Sequence, residues 1–141
     1  MKTKHYINTA LFYAILAMAG GVFYREFTKF NHFSGKTTLG VIHTHYFLLG
    51  MVFFLLLLLL EKNFAFTEVK TRRALILYHI GLNLTGVMFF IRGILQVLDT
   101  PLSSAVNSAI SGVAGIGHIL LGISLISILL TVRRSVAKAG H

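Results

Sequence analysis

Five ionisable side chains stand in otherwise apolar stretches: His43, His45, His79, Arg92 and His118. An ionisable group inside a membrane span costs several kcal/mol on most scales and marks a functional candidate by default. Four of the five are imidazoles, the side chain that ligates transition metals and haem iron most readily. No Asp or Glu lies inside any of the apolar runs. That argues against a proton antiporter or cation pump, which usually carries an intramembrane carboxylate. Thiolate metal sites, iron–sulfur clusters and thiol catalysis are excluded, because the chain has no cysteine.

The elements that must position these groups follow from composition. The chain has 141 residues, 55% apolar and 12% charged, with one Pro and 13 Gly, and a mean hydropathy of +0.78. Soluble domains carry roughly 25% charged residues, so a soluble enzyme, a disordered chain and a disulfide scaffold are all ruled out. The length accommodates about four spans of ~20 residues. They read as about 7–24, 41–60, 74–98 and 110–132, in one membrane domain over 1–141. The first run exceeds the 7–15-residue apolar core of a signal peptide and holds Gly20-Gly21 inside it, so it is read as a mature span. Ser103 and Ser104 are expected to cap the last helix.

The expected fold is all-α, an integral membrane four-helix bundle. Nine Lys and Arg flank the spans on one side and three on the other. The positive-inside rule then places both the N- and C-termini in the cytoplasm, for a multi-pass protein of the cytoplasmic membrane. The net charge of +9 is read as orientation and not as nucleic-acid binding.

Counting along the helices sets depth. His45 lies fifteen residues before Leu60, and His118 fourteen before Val132. At ~1.5 Å per residue both imidazoles reach nearly the same level, in the outer half of the bilayer. His43 sits about 3 Å higher and points to the other side of its helix. Arg92 lies just above this level, and His79 near the inner face. Gly115 and Gly122 flank His118, with Gly20-Gly21 and Gly86 at similar depth on spans one and three. A flat macrocycle between helices needs this kind of relief, and bundle cores are where such sites are built.

The leading expectation is therefore a haem b protein for electron transfer or for gas or redox sensing. His45 and His118 are the axial ligands and Arg92 pairs with the propionates. His43 takes the place of His45 if the helix rotates, or serves a second haem. His79 is read as structural, bonded to Asn83 four residues on, with a second haem as the other reading; Arg92 could also simply snorkel to the interface. Two alternatives stand beside this one. His43, His45 and His118 could hold copper or zinc. The histidines could instead bond between helices of a non-catalytic scaffold, with the glycines there for close packing. Whether the protein is an enzyme is left open. The expected partners are the bilayer, a quinone or redox protein, and a second copy packing through Gly86, Gly93 and the small-residue face of span four. No nucleic acid is expected. His5, His32 and His141 read as solvated.

The segment from His43-Thr44-His45-Tyr46 to Met51 resembles the His-x-His-Tyr segment of the haem–copper oxidase main subunit. The resemblance implies that His43 faces a high-spin haem and His45 a low-spin one. That subunit has twelve spans and a trio of copper-ligating histidines that this chain lacks, so oxygen reduction is not implied. The whole chain is similar to a family of small four-span bacterial membrane proteins catalogued as a domain of unknown function. The similarity runs through His43-Thr44-His45, Tyr78-His79, Arg92-Gly93 and Gly117-His118 and implies no activity.

Overall fold

The structure, a computed structural model, describes residues 2–140; His141 lies outside them. Four helices long and apolar enough to cross a membrane account for most of the chain: α1 (Lys2–Phe30), α2 (Leu39–Phe64), α3 (Val69–Val97) and α4 (Ser104–Ala139). Together they make a multi-pass membrane bundle, and no strand occurs among the described residues. Each helix outlasts the expected span, because neighbouring polar residues also take helical conformation. The end holding Lys2, Lys62, Arg72 and Arg134 is called the basic end below.

α1 packs along α2, and α3 along α4, with α2 and α3 meeting across the middle. The buried stripe of α1 is Tyr6, Ala10, Tyr13 and Ala17. Its spacing of four, three and four residues keeps one helix face on α2. The closest crossing joins α3 to α4. A Cβ on Gly81 would come within 2.6 Å of the Leu121 backbone nitrogen, and one on Gly117 within 2.7 Å of Thr85 Oγ1. Only glycine permits backbones this near, the usual device where lipid offers no hydrophobic drive for helix association.

The turns are fixed by specific bonds. After α1, His32 takes a left-handed φ of 50°. Phe33 N–H then bonds Thr28 O, and His32 N–H bonds Lys29 O, closing a Schellman motif without glycine. At the same end Thr38 Oγ1 donates to Phe89 O at 2.7 Å and Thr37 Oγ1 to Gly93 O at 3.0 Å, tying the start of α2 to the end of α3. Ser103 caps α4 by accepting from Val106 N, as expected. At the basic end Glu61 is buried. Its carboxylate accepts from Thr67 N and Oγ1 at 2.9 and 2.6 Å, with Lys2 Nζ 3.7 Å away.

α2 is not a uniform α-helix. Tyr46–Val52 winds as a π-helix directly after His45. Tyr78 Oη donates to Leu49 O within that stretch, at 2.7 Å. π turns inside α-helices are rare and frequent at functional sites.

Candidate functional site

In the half of the bundle away from the basic end, α2 and α4 stand apart and leave a cleft floored by α3. His45 on α2 and His118 on α4 face each other across it. Their ring centres are 6.4 Å apart and their planes nearly perpendicular, at 88°. Phe89 of α3 forms the floor, edge-on to both, at 4.9 Å from His45 and 5.7 Å from His118. His45 is half-buried and His118 exposed. Equal depth, which the sequence shows, and the rotation of both helices, which it does not, bring this pair together; nothing in the sequence marked Phe89 as the residue between them.

Both imidazoles use Nδ1 in the same way. His45 Nδ1 lies 3.1 Å from Val41 O and His118 Nδ1 2.8 Å from Ala114 O, each the carbonyl four residues earlier. A carbonyl only accepts, so Nδ1 carries the proton and Nε2 keeps a free lone pair. Such a bond orients a metal-ligating histidine and raises its basicity. Two metal–imidazole bonds of about 2 Å, plus a ring radius of about 1.1 Å at each end, separate opposed ring centres by about 6 Å. The observed spacing fits one metal between two imidazoles.

The α4 wall of the cleft is open. A Cβ added at Gly112, Gly115 or Gly122 would meet nothing within 4 Å. Farther from the basic end, Arg92 Nη2 donates to Ser111 Oγ at 2.7 Å and lies 3.4 Å from Asn107 O. Ser111 precedes His118 by seven residues, about 10 Å along the helix. Among the described residues Arg92 has no carboxylate partner.

Three expectations need correction. His43, His45 and His118 do not assemble, and no group of three potential metal-ligating residues exists among the described ones. His43 faces α1 instead, where a Cβ on Gly21 would lie 3.6 Å from its own Cβ, and its buried Nδ1 has no partner. Two residues along a helix rotate a side chain to nearly the far side, which is why it parts from His45. The glycines of spans one and three make no room beside the His45–His118 pair: Gly20 and Gly86 line a separate cavity of about 470 Å³ with Ile42, Tyr46 and Phe90, and His43 packs over Gly21. Gly86 and Gly93 are also buried, against Tyr46 and Leu39, so they offer no surface to a second copy.

His79 belongs to a separate polar network, and its ring partner is not Asn83. Its Nδ1 lies 2.6 Å from Tyr13 Oη. Asn83 Nδ2 instead donates to Tyr13 Oη at 3.0 Å and to the His79 carbonyl at 2.8 Å. Tyr46 Oη donates to Asn83 Oδ1 at 3.3 Å. The side chain of Asn83 lies along its own helix and reaches backbone, leaving the imidazole to a phenol from α1. The Tyr6-to-Ala17 stripe, readable in the sequence, was the signal for that phenol.

A family profile described as "Protein of unknown function (DUF2871)" matches residues 3–135. No curated protein and no solved structure matches the chain.

Proposed function

The chain belongs to the DUF2871 family, and we propose that it is a membrane haem b protein carrying electrons through the His45–His118 pair. The observation behind this reading is the 6.4 Å separation of two imidazoles whose Nδ1 atoms are both held by backbone carbonyls. A haem there would supply a one-electron couple within the bilayer. His45 and His118 would both be taken up in holding it, which favours electron transfer over gas sensing. Gly115 and Gly122 would admit the ring edge. Phe89, at 4.9 and 5.7 Å from the two imidazoles, stands where the ring would lie and would have to turn aside, and Arg92 would neutralise the propionates through charge-assisted bonds. The excess of Lys and Arg at the basic end supports its placement in the cytoplasm, with the bundle in the cytoplasmic membrane.

Purified, haem-replete protein should show a Soret band and a reduced-minus-oxidised difference in the α region. His118→Ala should abolish both, and His43→Ala should leave both in place. Copper or zinc found by elemental analysis without a porphyrin spectrum would favour a two-imidazole metal site instead. Absence of both metal and haem would leave the scaffold reading.

A further inference from the structure

A cavity of about 480 Å³ opens between α1 and α3 at the basic end, lined by Lys2, His5, Tyr6, Thr67, Arg72, Leu75, Ile76 and His79. Its size and its mostly apolar wall with a few convergent polar groups suit a small ligand. Ile76, one of the lining residues, is 59% exposed, so the cavity opens on the apolar surface of the bundle. The polar groups at its two ends differ. Lys2 is already engaged by Thr67 O at 2.9 Å and by Glu61 at 3.7 Å. The Arg72 guanidinium has no hydrogen-bond or ion-pair partner among the described residues, and the residue is exposed.

At the other end, the network behind His79 selects its tautomer. Tyr46 donates to Asn83 Oδ1, so Asn83 Nδ2 faces Tyr13 and donates to its oxygen. The hydroxyl proton of Tyr13 then has one acceptor within reach, His79 Nδ1. A neutral imidazole accepting at Nδ1 carries its proton on Nε2. His79 thus offers the cavity an N–H donor, the opposite of the lone pair that His45 and His118 keep.

His79 and Arg72 are seven residues apart on one face of α3, about 10 Å along its axis. Two para carbonyl oxygens about 5 Å apart, plus a hydrogen bond of about 2.9 Å at each, span about 11 Å. We propose that this cavity binds the headgroup of a membrane para-quinone, one carbonyl on His79 Nε2–H and the other on the Arg72 guanidinium. The ring lies against Leu75 and Tyr6, and the tail leaves past Ile76. Assigning this quinone as the electron partner rests on the haem reading; the binding site itself does not.

The test uses the full-length protein in phosphatidylcholine nanodiscs and a short-tailed benzoquinone, decylubiquinone, read by equilibrium binding. Saturable binding of one quinone per chain is expected, weakened at least tenfold by His79→Ala. Ile76→Trp should do the same by filling the mouth while leaving the Tyr13 network alone, with helix content and melting temperature confirming its fold. His118→Ala should bind quinone as the wild type does even with its haem lost, which separates failure of the haem reading from failure of this one. Nitrogen-15 spectra should show His79 as the Nε2–H tautomer. Binding unaffected by both cavity variants, or no saturable binding, would overturn the proposal. So would a phospholipid found as the His79-dependent occupant when phosphatidylglycerol is included.

Discussion

The groove between α1 and α3 and the cleft between α2 and α4 place histidines on either side of the same two central helices, and treat them oppositely. In the groove, His79 is bonded to Tyr13 from another helix, and Asn83 and Tyr46 complete the network. In the cleft, His45 and His118 bond only to their own backbones. Polar groups that satisfy one another across helices hold the bundle together. Polar groups that lean on their own helix hold nothing together, and leave a nitrogen for something else. The glycines divide in the same way, Gly81 and Gly117 being filled by a facing helix and Gly115 and Gly122 by nothing.

That contrast can be broken at several points. Gly117→Leu should have the largest effect. Its side chain must displace Thr85 and the α3 backbone, and overpacking of this kind costs about 1–3 kcal/mol or more. A steep fall in melting temperature or in yield of folded protein would register it. Tyr13→Phe should come next, at about 1–2 kcal/mol, because it leaves His79 Nδ1 without a partner. Reversible unfolding in mild detergent would measure the loss, and an unchanged stability would mean that the network holds nothing. Gly115→Leu should have the smallest effect on folding, within about 0.5 kcal/mol, since its site faces open space. The same substitution should lower haem content, and a normal haem complement would detach the open glycines from the cofactor.

Depth was legible in the sequence, and rotation was not. A rise of ~1.5 Å per residue is the same for any helix, so counting from Leu60 and Val132 sufficed to level His45 with His118. The fate of Gly20, Gly21 and Gly86 depends on which way each helix is turned and which side chain a neighbour presents. Tyr46 over Gly86 and Ile42 over Gly20 are facts of pairwise packing, absent from any single helix. The π-helical stretch Tyr46–Val52 has no signature in its Leu- and Phe-rich sequence. Glu61 read as the polar end of a span because its acceptors' partners, Thr67 and Lys2, meet it only once the α2–α3 turn and α1 are in place.

Low-temperature electron paramagnetic resonance of the oxidised protein addresses the paired histidines most directly. Two imidazoles on one iron with planes near 88° should give a strongly anisotropic low-spin signal, converted to high-spin or lost in His45→Ala and in His118→Ala. A low-spin signal that survives both substitutions would contradict ligation by this pair.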